Sequence, residues 1–169
     1  MLDDRASQEL FRLGALRRRC YRHNVMPARD HDHEHVRRVL IRDGWVITHD
    51  PLRLRWGVRD LYVDLGAERL LAAEKGQQKI AVEIKSFRGL SVVDDLEKAI
   101  GQFTVYHDVL ESVDPDRVLY LAVSEAAYHE AFEDPLGQLL LAKGRAKLLI
   151  YSEDMEVICQ WTPAPPTAS

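Results

Sequence analysis

Cysteine is scarce in this chain: Cys20 and Cys159 are its only two, far apart and without metal-type spacing. That excludes a disulfide framework and a thiolate zinc site, and both side chains are read as reduced thiols. Long apolar runs are missing as well, so no segment has the length to span a bilayer. The opening Met1-Leu2-Asp3-Asp4 is acidic where a secretory signal is basic, which makes a cytoplasmic location without membrane contact the expectation. There is no glycine-rich phosphate loop, Ser/His/Asp arrangement, nucleophilic cysteine signature or internal repeat. The seven histidines form no credible zinc set.

A large positive charge is also absent. The net charge of −4 gives no support to a wholesale electrostatic hold on nucleic acid. Its distribution is uneven: residues 1–60 carry 13 Lys/Arg against 9 Asp/Glu, and the remainder 10 against 18. A basic front half can face phosphates while acids behind it hold a cation, although solvated helix faces give the same asymmetry. At 169 residues, the chain fits one domain that buries roughly two thirds of its unfolded surface.

Residues 5–23 read as an amphipathic helix within an N-terminal extension, 1–25, with Leu10, Phe11, Leu13 and Leu16 near Arg17-Arg18-Arg19. After Met26-Pro27, Asp30 or Asp32 can cap a helix whose Val36, Val39, Leu40 and Ile41 suggest one buried stripe, ended by Asp43-Gly44. Trp45 to Thr48 alternates as a strand, His49-Asp50-Pro51 turns, and Leu52 to Trp56 is extended. Asp60 to Leu65 reads as a strand leading through Gly66-Ala67 into 68–74, with Lys75-Gly76-Gln77-Gln78 as a hairpin loop. A helix runs from Asp94 to about Leu110, and an apolar strand from Val118 to Val123. Residues 125–143 are helical with a break at Asp134-Pro135, and a hairpin turns at Glu153-Asp154. The main domain is expected over 26–162, and 163–169 as a disordered tail. Trp45, Trp56 and Trp161 read as core or interface aromatics.

Within Lys79-Ile80-Ala81-Val82-Glu83-Ile84-Lys85, an acid and a lysine alternate with apolar residues, so one strand aims Glu83 and Lys85 at the same face. Desolvating both costs several kcal/mol each unless they pair or bind a metal. Asp64 lies 19 residues before Glu83. Two carboxylates can hold a hard ion, Mg²⁺ or Mn²⁺, which acidifies a bound water while Lys85 steadies the attacking oxygen. In a regular hairpin turning at Gly76-Gln77, however, residue 70 faces Glu83 and Asp64 sits about 20 Å away along the strand. A bulge or bend at Gly66-Ala67 would close that gap; Glu68, opposite Lys85 in the regular register, is the geometric rival, and Asp60 a weaker one.

Glu34 in the first helix is a candidate for a second ion or a metal-bound water, or simply complements the helix dipole. Gln102 and Tyr106, four apart and on one face with Lys98, can steady the site or touch a nucleic-acid backbone. The string His31-Asp32-His33-Glu34-His35 suits a transition metal but is explained as a polar helix start.

The order helix, strand, Asp strand, E-x-K strand, helix, strand resembles the PD-(D/E)XK, or restriction-endonuclease-like, superfamily. Gln102-Phe103-Thr104-Val105-Tyr106 resembles the Q-x-x-x-Y element of its RecB-type nucleases, while the motif's usual proline is replaced by Val63. Longer strings resemble the fdxN-element excision controlling factor, or XisH-like, family. They are Met26-Pro27-Ala28-Arg29-Asp30, Asp43-Gly44-Trp45, Thr48-His49-Asp50-Pro51-Leu52-Arg53, Tyr62-Val63-Asp64-Leu65-Gly66-Ala67-Glu68, Ala81-Val82-Glu83-Ile84-Lys85-Ser86-Phe87 and Gly101-Gln102-Phe103. The resemblance covers about 26–162 and leaves 1–25 outside.

The resemblance implies an α/β restriction-endonuclease-like fold, a central mixed sheet flanked by helices, with an αβββαβ core and a C-terminal β-hairpin. It implies Asp64, Glu83 and Lys85 as the nuclease core, Glu34 as the first-helix acid, and Gln102 and Tyr106 as the later pair. DNA and a small companion excision protein are the implied partners. The preferred expectation is metal-dependent phosphodiester hydrolysis; the rival is a non-catalytic regulator scaffolding a companion or DNA, and a lesser one a defence or toxin nuclease. Apolar faces leave a homo-oligomer open.

Overall fold

Apolar alternation along the strands sorts their side chains onto two faces, and each face acquires its own helical cover. The computed structural model describes residues 32–70 and 77–165. The expected extension 1–25, Asp30, His31, the 71–76 connection and the last four residues of the tail lie outside these. In chain order the elements are α1 His33–Arg42, β1 Val46–His49, β2 Leu52–Trp56, β3 Arg59–Val63, β4 Leu65–Leu70, β5 Gln77–Ile84 and α2 Val92–Val113. They continue as β6 Arg117–Ser124, α3 Glu125–Ala131, α4 Pro135–Ala142, β7 Leu148–Ser152 and β8 Val157–Thr162.

Six strands form one mixed sheet in the order β1-β4-β5-β6-β7-β8, with β5, β6 and β7 parallel and the outer pairings antiparallel. The parallel step from β5 to β6 requires a long crossover, which α2 supplies. Ile80, Val82 and Ile84 of β5 face α1, where Val36, Val39, Leu40 and Trp45 cover them. Ala81, one residue out of phase, faces the other layer with Leu96, Ala99 and Phe103 of α2. By the same period of two, Glu83 belongs to the α2 face. The separate ribbon β2–β3 lays Leu52, Leu54 and Val63 onto that layer too.

Several local expectations are corrected. Of the five strands between α1 and α2, β1, β4 and β5 join the main sheet and β2 and β3 form the separate ribbon. Ile41 is 47% exposed and leaves the α1 stripe to Val36, Val39 and Leu40, because a fourth neighbour overruns the arc that faces the sheet. Trp56, read as a core or interface aromatic, is half exposed on the ribbon and so is not a core residue. α2 begins at Val92, two residues before Asp94, since Ser91 Oγ accepts the Asp94 N–H at 3.3 Å and caps it. Asp32 sits at the α1 N-cap position without a capping side-chain bond; its carboxylate pairs with Arg88 instead. Gln77 and Gln78 are strand residues, not loop. The expected 60–65 strand breaks at Asp64, and Gly66-Ala67 is regular β4 opposite Ala81 and Ile80. Among the described residues no helix is long and apolar enough to cross a membrane.

Candidate functional site

The β4–β5 register decides which acids meet. Leu65 pairs with Val82, Glu68 with Lys79 and Leu70 with Gln77, so the ladder ends with Asp64 next in line opposite Glu83. No bulge at Gly66-Ala67 is needed, because the ladder pairs Leu70 with Gln77 and not with Glu83. Asp64 is held in place by the β5 backbone: its Oδ2 accepts the Ile84 N–H at 2.9 Å. Glu83 is 2% exposed, and Lys85 Nζ lies 3.0 Å from its Oε1. Its Oε2 is buried with no hydrogen-bond partner.

Burial, with the neighbouring Asp64 charge adding to it and Lys85 opposing, pushes the Glu83 carboxyl up to about 7. A buried carboxylate oxygen without a donor, beside a second carboxylate of like charge, is the environment a hard divalent cation relieves. Asp64 and Glu83 therefore fit Mg²⁺ or Mn²⁺ as oxygen ligands.

α2 closes the other side. Gln102 Nε2 donates to the Tyr106 hydroxyl at 2.7 Å. Burial raises the Tyr106 phenol, and the charges of Glu83 and Asp64 add to that rise. The Gln102–Tyr106 pair thus stands within electrostatic reach of the acids. A cleft of about 610 Å³ runs between the end of β5 and this helix, lined by Lys85, Ser86, Arg88, Lys98 and Gln102 among others.

The remaining candidates lie elsewhere or serve the fold. Glu68 accepts from buried Arg117 at 2.9 Å, which itself donates to the Ile80 carbonyl at 3.0 Å, so Glu68 is engaged away from Glu83. Asp60 pairs with Arg53 at 2.8 Å on the ribbon. Glu34 is exposed in the first turn of α1 and is not among the charges that act on Glu83. From the histidine string, His33 is buried with Nε2 3.0 Å from Asp50, and Asp32 lies 3.0 Å from Arg88.

Sequence reasoning missed the segment that leaves β5. Phe87 adopts φ 48°, a left-handed conformation that costs a non-glycine residue about 1–2 kcal/mol. Its ring meets Phe132 edge-on at 5.7 Å. That turn aims Arg88 at Asp32, and Asp95 Oδ2 accepts the Gly89 N–H at 2.7 Å. Nothing in periodicity signals a left-handed phenylalanine.

Fold and site together define a mixed α/β protein that gathers two acids and a lysine at the end of β5, where Lys85 also lines a cleft against α2. The chain belongs to the XisH family, whose model, described as XisH protein, matches residues 26–159. It is similar to the crystal structure of an XisH family protein from Nostoc punctiforme PCC 73102, at 39% identity and a TM-score of 0.69, over 76% of this chain and 96% of that one. It is also similar to a fdxN element excision controlling factor protein from Anabaena variabilis, at 40% identity and a TM-score of 0.68, over 77% and 96%. None of the curated proteins compared with it matches.

Proposed function

We propose that this protein is an excision controlling factor with a restriction-endonuclease-like core that hydrolyses DNA phosphodiester bonds, using Mg²⁺ or Mn²⁺ held by Asp64 and Glu83. The observation that carries the reading is the buried, partnerless Glu83 Oε2 beside the Asp64 carboxylate. The name of the Anabaena relative, a fdxN element excision controlling factor protein, agrees with a DNA substrate. When bound, the ion supplies Lewis-acid stabilisation and a more acidic water. Lys85, 3.0 Å from Glu83, offsets charge on the acid and presents a donor to an attacking oxygen. Gln102 and Tyr106 fix each other through their 2.7 Å bond and line the path of the strand. Lys98 and Arg88, both at the cleft, offer cationic partners to the flanking phosphates.

Incubation of the purified protein with Mn²⁺ and supercoiled, linear and single-stranded DNA tests this. Nicking that disappears in Glu83→Ala supports it; intact DNA in all three forms overturns hydrolysis. The net charge of −4 favours a second reading, a non-turnover scaffold for a companion protein or DNA. Calorimetry with no divalent-ion binding, together with tight binding to a companion, would select it.

A further inference from the structure

The ribbon β2–β3 is unlike the rest of the surface. In its register Arg53 faces Tyr62 and Arg55 faces Asp60, so these four side chains share one face. The opposite face sets Leu52, Leu54, Leu61 and Val63 against Leu96, Ala99 and Phe103 of α2 and ends, at the tip, in the Trp56–Arg59 pair. The inner face thus fastens the ribbon to the helix that carries Lys98 and Gln102, and the outer face is left to solvent. Trp56 is 52% exposed, and Val58 at the tip is fully exposed.

Residues 52–63 hold three arginines and one acid, within a chain whose net charge is −4. Asp60 pairs with Arg53, while Arg55 and Arg59 make no ion pair among the described residues. On α1 the arginines are already engaged: Arg37 lies 3.8 Å from Asp50, Arg38 2.9 Å from Glu156, and Arg42 donates to the Met155 carbonyl at 3.1 Å. The ribbon leads directly into Asp64, one residue after β3 ends.

We infer that the outer face and tip of this ribbon dock duplex DNA and guide it into the cleft, with Arg55 on the face and exposed Arg59 at the tip as the phosphate or base-edge contacts. A two-stranded ribbon has the width of a major groove, about 12 Å. A cationic face beside a phosphodiester site matches the charge of its substrate. The inference rests on the proposed DNA substrate but not on the metal.

Fluorescence anisotropy in EDTA with the full chain and a labelled 20-base-pair duplex tests it, since cleavage cannot contribute. Arg55→Glu/Arg59→Glu should weaken binding roughly tenfold or more at about 0.1 M salt and lower the salt slope by about 2. Lys143→Glu/Arg145→Glu makes the same charge change ahead of β7, at the opposite end of the parallel strands from Lys85. It should leave affinity within about twofold, because the eight residues of β5 set the two strand ends roughly 25 Å apart, beyond a Debye length of about 10 Å. Equal losses in the two variants, an undiminished ribbon variant, or an equal loss on a single strand of the same length would each overturn the inference. If the charge reversal unfolds the chain, Arg55→Gln/Arg59→Gln replaces it. Calorimetry of Mn²⁺ binding on the same preparations separates the two readings: wild type that binds duplex but not Mn²⁺ sinks the metal site and leaves the ribbon standing.

Discussion

Lys85 Nζ stands 3.0 Å from Glu83 Oε1, a lysine just past the end of β5 holding an acid that the α2 layer buries. The ammonium opposes the burial that raises the Glu83 carboxyl. Lys85→Met should therefore move the Glu83 titration above about 7. Carboxyl ¹³C shifts followed against pH, assigned with Glu83→Gln, read the midpoint directly; an unchanged or lower one contradicts the pairing.

The same carboxyl sets a pH dependence of stability. A carboxyl with a raised folded pKa binds its proton more tightly when folded. Its contribution is complete below the unfolded value near 4.5 and is lost as pH climbs through about 7. Wild type should lose thermal stability across that window relative to Glu83→Gln, at roughly 2–4 °C per kcal/mol. Melting curves of both proteins at several pH values check it, and parallel profiles would refute it.

Divalent-ion binding should displace the Glu83 proton near neutral pH. Mn²⁺ calorimetry in buffers of different ionisation enthalpy should show proton release, about tenfold weaker binding in Asp64→Asn or Glu83→Gln, and unaltered binding in Glu68→Gln. Equal affinity across all four proteins would remove the site.

Arg117 is 7% exposed and bonds Glu68, Asp114 and the Ile80 carbonyl. Arg117→Ala leaves those acceptors short of a donor and should cost about 3 kcal/mol. Urea unfolding measures the loss; a change under about 1 kcal/mol would show that water replaces the guanidinium.

Gly137 sits against the Ala131 carbonyl and the Phe132 backbone, where an added Cβ would collide with main chain. Gly137→Ala should destabilise by about 1–3 kcal/mol despite its better helix propensity. A stabilised variant would mean that α3 and α4 separate readily.

Much of the site was legible because charge interrupted an apolar strand. Glu83 and Lys85 on one face followed from the period of two, and Gln102 with Tyr106 from the period of a helix. The hairpin register was not legible. The expected partner of Glu83, residue 70, and the observed ladder position of Asp64 differ by six places. An even shift keeps every side chain on its own face, so hydrophobic patterning cannot tell the two registers apart. Glu68 was the geometric rival of Asp64 in the regular register, and Arg117, 49 residues away along the chain, engages it.

Sequence alone determined that acids and a lysine would share a sheet face, since side-chain alternation is a local property of extended backbone. Only the tertiary structure decided which acid stands beside Glu83, how α2 brings Tyr106 within reach of both, and where Phe87 turns the chain. Those depend on turn placement and contacts between residues distant along the chain, whose energies no short window of sequence contains.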